Sequence, residues 1–116
     1  MYEYKIEKII RVVDGDTVDV LIDLGFKTFL KKRIRIYGIN TPETRTRDKK
    51  EKELGFKAKE RVEEILYGNK DLIIQSHGEG KFGRVLGDIY FSEEKVNLGE
   101  LLVSEGHAEE YFGGKR

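Results

Sequence analysis

The chain has no cysteine, which removes disulfides, zinc–thiolate centres and cysteine nucleophiles from consideration but leaves the compartment open. It has one proline, Pro42, so the only residue that must interrupt regular pairing lies at one known place. No stretch approaches the ~18 apolar residues of a membrane helix. The opening Met1-Tyr2-Glu3-Tyr4-Lys5-Ile6-Glu7 alternates charges where a secretory leader would be apolar. As written, the sequence predicts a soluble chain without a membrane partner, cytoplasmic as it stands or secreted if a precursor was trimmed. Excess charge is also missing: 22 basic residues meet 22 acidic ones, so no global field advertises a nucleic-acid partner.

What is present is unevenly placed. Residues 1–50 carry 12 basic and 8 acidic side chains, whereas residues 51–116 carry 10 and 14. The first, basic part also holds most of the unusual motifs. With 116 residues the chain has the length of one domain, able to withdraw roughly two-thirds of its unfolded surface from water. The boundaries read as one domain over 1–112 and a frayed tail at 113–116, whose Gly-Gly-Lys-Arg composition offers nothing to bury. Charged residues make up 38%, with single Gln and Met residues and three Asn, a composition associated with proteins of high-temperature organisms.

Hydrophobic periodicity organises the rest. Tyr4 to Val13 alternates and is rich in β-branched residues, Asp14-Gly15 turns the chain, and Thr17 to Ile22 resumes as a second strand. Phe26 to Ile39 reads as a third strand with Lys31, Lys32, Arg33 and Arg35 between apolar positions. A basic loop over 44–50 precedes a helix from Lys52 to Tyr67, with Leu54, Ala58, Val62, Ile65 and Leu66 near one face and Gly68-Asn69 as the stop. Asp71 to Ser76 and Val85 to Phe91 read as strands four and five, joined by a glycine-rich connection over 78–83. A short helix runs from about Asn97 to Ser104. The pattern predicts an α+β domain: a five-stranded oligonucleotide-binding (OB-fold) type barrel, a helix between strands three and four, and a short C-terminal helix.

Three groups of residues carry possible chemistry. Asp14 and Asp16 flank a glycine at a turn, where two carboxylates can project toward one point; an ordinary hairpin turn favours the same residues. Asn40-Thr41-Pro42-Glu43 is an irregular segment whose backbone carbonyls are free of the ladder and whose glutamate can take a proton from water, or can simply open the following helix. Arg35 and Arg84 are candidate phosphate clamps, since guanidinium donors match phosphate oxygens in pairs; singly, each also fits a solvent-facing strand arginine. Arg45, Arg47, Lys49 and Lys50 could track a nucleic-acid backbone, with Asp48 diluting the patch. His77 and His107 have no zinc-like spacing and read as a strand-end and a helix-end residue.

Taken together, the Asp-Gly-Asp-Thr turn, the Thr-Pro-Glu turn with an arginine eight residues before the glutamate, and Lys81-Phe82-Gly83-Arg84 before an apolar strand resemble the staphylococcal-nuclease-like thermonucleases. The resemblance spans about Val12 to Glu110. It implies a Ca²⁺-dependent nuclease that hydrolyses DNA and/or RNA, single-stranded by expectation, with activated water, leaving 3′-phosphate ends. It implies that Asp16, Asn40 and the Thr41 carbonyl hold the ion, that Glu43 contacts it and activates water, and that Arg35 and Arg84 bind phosphate. Lys81, Phe82 and Tyr111 would lie beside the nucleotide. Phe82 stands where the family often has tyrosine, Asn40 where it commonly has aspartate, and known members continue beyond Tyr111-Phe112 into another helix. The amide at position 40 predicts weaker calcium binding. The alternative is a catalytically impaired barrel that binds nucleic acid or protein.

Overall fold

The computed structural model describes residues 2–112; Met1 and the 113–116 tail lie outside the described residues, as does the side chain of Phe82. Three consecutive antiparallel strands open the chain: β1 (Tyr2–Asp14), β2 (Thr17–Asp23) and β3 (Phe29–Ile36). A two-residue strand β4 (Ile39–Asn40) leads to helix α1 (Lys49–Tyr67), followed by β5 (Ile73–Glu79), a single 3₁₀ turn over Lys81–Gly83, and β6 (Val85–Phe91). Short strand β7 (Val96–Asn97), helix α2 (Leu98–Ser104) and short strand β8 (Glu109–Glu110) complete it.

The sheet runs β3-β2-β1-β5-β6, and a parallel pairing of β3 with β6 closes it, so five strands form a barrel with no free edge between them. Alternation decides what fills it. Val18, Val20 and Ile22 from β2 and Ile34 and Ile36 from β3 are buried, while Arg35 between the last two points the other way. Ile34 is fully buried, and truncating such a side chain to alanine costs about 2–5 kcal/mol through lost transfer energy and the cavity left behind. The α1 face of Ala58, Val62, Ile65 and Leu66 is buried as well.

Several boundaries differ from those expected. β3 stops at Ile36 rather than Ile39, because the chain turns at Gly38, whose φ of +79° suits glycine. α1 starts at Lys49, three residues early: Asp48 accepts hydrogen bonds from the backbone of Lys50 and Glu51. Lys49 and Lys50 are therefore helical, and the cap is Asp48 rather than Pro42-Glu43. Leu54 is 45% exposed, and Gly55 takes the place expected of it on the buried face. β5 covers Ile73–Glu79 rather than 71–76; a register shift between Ser76 and Gly78 absorbs one extra residue and lets the strand continue into the glycine-rich connection. α2 agrees with its expectation, with Asn97 capping through the Glu100 amide.

Candidate active site

Strand register brings the first two groups together. Thr17 of β2 lies opposite Arg35 of β3, which sets Asp16 beside the arginine, and the Asp16 carbonyl accepts from the Ile36 amide at 2.9 Å. The Asp16 carboxylate is held on three sides. Its Oδ1 accepts from the Thr17 hydroxyl at 2.9 Å, its Oδ2 accepts from the Thr41 amide at 3.1 Å, and Arg35 Nη1 stands 3.6 Å away. Only 15% of the Asp16 side chain and 17% of that of Arg35 are exposed, so solvent screens this pair less than a surface pair. Arg35 is fixed at its other end by donating to the Ile36 carbonyl and, through Nη2, to the amide oxygen of Asn40.

Two glycines let three segments meet here. A Cβ on Gly15 would lie 2.9 Å from both the Ala58 Cβ and the Thr41 Cγ2, so the hairpin turn packs directly on α1 and on the Thr-Pro-Glu segment. A Cβ on Gly55 would lie 2.7 Å from the Glu43 carbonyl oxygen and 2.8 Å from that of Pro42. A side chain at either position would force the segments apart. The Thr44 hydroxyl then ties the loop back to the hairpin by donating to Asp14 at 2.6 Å.

Asp16, Arg35, Asn40, Thr41, Glu43 and Arg84 line one cleft of about 210 Å³, together with Asp14. Glu43 is exposed and Arg84 half-buried, with its Nε 3.4 Å from the Lys81 carbonyl. An adjoining cleft of about 350 Å³ shares Arg35 and Arg84 and adds Lys81, Tyr37, Tyr111 and Phe112. Phe82 belongs to the 3₁₀ turn, with its side chain outside the described residues. His77 bonds Asp88 at 2.7 Å and stacks on Tyr37 with centroids 4.0 Å apart, so it buttresses the aromatic cleft from behind. His107 follows α2, 4.0 Å from Glu105.

Besides the two arginines, the polar side chains lining the middle cleft all carry oxygen donors: two aspartates, a glutamate, an asparagine and two threonines, the chemistry of a hard cation. The Thr41 hydroxyl is buried without a hydrogen-bond partner among the described residues. Among the described residues no group of three or more His, Cys, Asp or Glu side chains converges as a metal cluster. A calcium ion is thus compatible with the donor types, provided that backbone oxygens, water and substrate complete its shell. Asn40 brings a single uncharged oxygen, which already accepts from Arg35, where an aspartate would bring two oxygens and a negative charge.

Sequence reading missed Gly55 and Tyr37 as parts of the site. A glycine inside an otherwise good helical pattern was the available signal for Gly55, since it costs helix stability unless a close approach requires it. Tyr37 carried no such signal.

A closed five-stranded barrel with guanidinium and carboxylate groups gathered in one cleft defines an α+β domain of the OB-fold type. Residues 33–116 match the family described as staphylococcal nuclease homologues, and the chain belongs to that family. The match includes Arg35, the Thr-Pro-Glu segment and Arg84, and begins after the Asp-Gly-Asp-Thr hairpin. An uncharacterised protein of Methanocaldococcus jannaschii is 33% identical over 133 residues, covering 96% of this chain and 61% of its own. A thermonuclease of Staphylococcus hyicus is 30% identical over 106 residues, covering 90% and 59%, and a micrococcal nuclease of Shigella flexneri is 25% identical over 111, covering 90% and 57%. The chain therefore spans about three-fifths of the length of the curated relatives it matches. Among the described residues no helix is long and apolar enough to cross a membrane.

Proposed function

We propose that this chain is a nuclease that hydrolyses phosphodiester bonds of single-stranded DNA, RNA or both with the help of one Ca²⁺. The observation that carries the reading is the cleft shared by Asp16, Arg35, Thr41, Glu43 and Arg84: a barrel kept only for binding has little need of all five in one place. Asp16, the Thr41 carbonyl and, more weakly, Asn40 would hold the ion, with Glu43 beside it. When bound, the ion supplies positive charge against the phosphate oxygens.

Arg35 and Arg84 bracket the scissile phosphate and donate to its non-bridging oxygens. Arg35 is held in place by Asn40 and the Ile36 carbonyl, so its donors need little reorganisation as charge builds on the five-coordinate transition state. Glu43 takes a proton from water; the water oxygen bonds to phosphorus, the bond to the 5′ oxygen breaks, and that oxygen takes a proton from solvent. The products are a 3′-phosphate and a 5′-hydroxyl. Lys81 and Tyr111 lie along the nucleotide, with the aromatic cleft offering Tyr37, Tyr111 and Phe112 as faces for a base. The names of the thermonuclease and micrococcal nuclease relatives support the same activity.

A second reading is favoured by one observation: the Asn40 oxygen is engaged by Arg35. On that reading the barrel binds single strands without cutting them. Hydrolysis of denatured DNA against calcium concentration separates the two, with Glu43→Gln and Arg84→Ala alongside. Calcium-dependent cleavage lost in both variants supports the nuclease; no cleavage by folded parent protein at millimolar calcium leaves the binding module.

A further inference from the structure

Beyond Arg84 the middle cleft opens into another of about 320 Å³, lined by Arg33, Thr44, Arg45 and Arg84. It shares Asp14, Thr17, Glu43 and Arg84 with the middle cleft, whereas it shares only Arg84 with the aromatic cleft. The three clefts thus form a series, with the candidate catalytic groups in the centre.

The two new arginines differ in how they are held. Arg33 forks onto Asp19 through Nε at 2.8 Å and Nη2 at 3.1 Å, which fixes the guanidinium plane and leaves Nη1 outside the fork. Arg45 is exposed and makes no hydrogen bond or ion pair among the described residues. Arg33, Arg45 and Arg84 line this cleft with Asp14 and Glu43; Asp19 balances the charge of Arg33, and the exposed Arg45 supplies a guanidinium with no ion-pair partner among the described residues. The Asp14 carboxylate is further occupied by the Thr44 hydroxyl.

We propose that this cleft is a second phosphate subsite, seating the phosphodiester one step beyond the scissile bond, with Arg33 and Arg45 as its donors. The inference rests on the nuclease reading. A base sits in the aromatic cleft on one side of the scissile phosphate, and the next phosphate of the strand sits between Arg33 and Arg45 on the other. The substrate class narrows to strands long enough to supply that extra phosphate, and a dinucleotide with a single internal phosphodiester cannot reach it.

The test measures binding of a fluorescent ten-residue oligothymidylate and of a thymidine dinucleotide in calcium-free buffer across a salt series. For Arg45→Ala, binding of the long strand should weaken and its log K against log salt should flatten by about 0.7, the contribution of one single-strand phosphate contact. Dinucleotide binding should stay unchanged. Arg33→Gln should act in the same direction, with a thermal melt recording whether loss of the Asp19 fork loosens the hairpin. An unchanged salt slope, equal weakening for both lengths, or no binding of the long strand by the parent overturns the subsite. Cleavage is scored separately: binding with the expected slope change but no calcium-dependent cutting rejects the nuclease reading and leaves the subsite standing.

Discussion

Arg35 donates through Nη2 to the side-chain oxygen of Asn40, five residues further along the chain. The same guanidinium faces Asp16 at 3.6 Å, so one arginine sits between an amide and a carboxylate. An aspartate at position 40 would present a second carboxylate to both Arg35 and the ion. Asn40→Asp should therefore lower the calcium concentration needed for half-maximal cleavage, with calorimetric calcium titration showing tighter binding in the same direction. No tightening would assign Asn40 to positioning Arg35 alone.

The clamp makes its own prediction. Arg35→Ala and Arg84→Ala should each reduce kcat by roughly 10²–10³, as expected for loss of a donor to transition-state charge. Arg35→Lys should recover little of it, because an ammonium cannot bond Asn40, the Ile36 carbonyl and a phosphate in one plane. Single-turnover rates would separate this from a change in substrate binding.

Gly55→Ala tests packing against propensity. In an open helix the change stabilises by roughly 1 kcal/mol. Here the added methyl would meet the Glu43 and Pro42 carbonyls at 2.7 and 2.8 Å, so the helix must move from the loop that carries Glu43. The variant should melt at a lower temperature and cut more slowly while keeping its far-UV circular dichroism. A higher melting temperature with full activity would contradict the packing argument.

Acid should loosen the β2–β3 hairpin. The hydrogen bond from Arg33 lowers the pKa of Asp19 below its ordinary value, against an opposing effect of burial; Arg33 is raised in turn. A carboxyl lowered in the folded state adds stability above its unfolded pKa of about 3.9 and loses it as pH falls through the folded value. Asp19→Asn should narrow the gap between melting temperatures at pH 7 and pH 3, compared with the parent. An unchanged gap would mean that the ion pair contributes nothing.

Arg61 forks onto Glu105 at 2.7 and 2.9 Å, fastening α1 to the end of α2 and lowering the Glu105 pKa through the hydrogen bond. Both partners are about one-third exposed, so Arg61→Ala should cost no more than about 1 kcal/mol, and less in high salt. Composition leads to an expected melt above about 65 °C, readable by calorimetry.

Much of the barrel was legible because its signal is local. Val18, Val20 and Ile22 alternate with polar residues, and Ile34 and Ile36 flank Arg35, so the inward faces can be read along each strand. The end of β3 and the extent of β5 were not. Gly38 turns the chain through a positive φ that an apolar run conceals, and the irregularity at His77 shows only once β5 is paired with β6. The exposed Leu54 was misread because helical periodicity ranks a leucine above a glycine, whereas the space beside α1 admits only the glycine.

By itself the sequence determined the five barrel strands, the two helices and the residue types available for chemistry: oxygen donors at two turns, an arginine within one strand and another just before a second, and no cysteine. These follow from covalent identity and short-range pattern. Tertiary structure alone decided that the Thr41 amide meets Asp16 across 25 residues, that Arg35 is held by Asn40, and that Arg33, Arg45 and Arg84 line a common cleft. Those relationships depend on register and barrel closure, in which the parallel joining of β3 to β6 sets strands distant in sequence side by side. No local propensity encodes them, because their energy appears only when the whole barrel has formed.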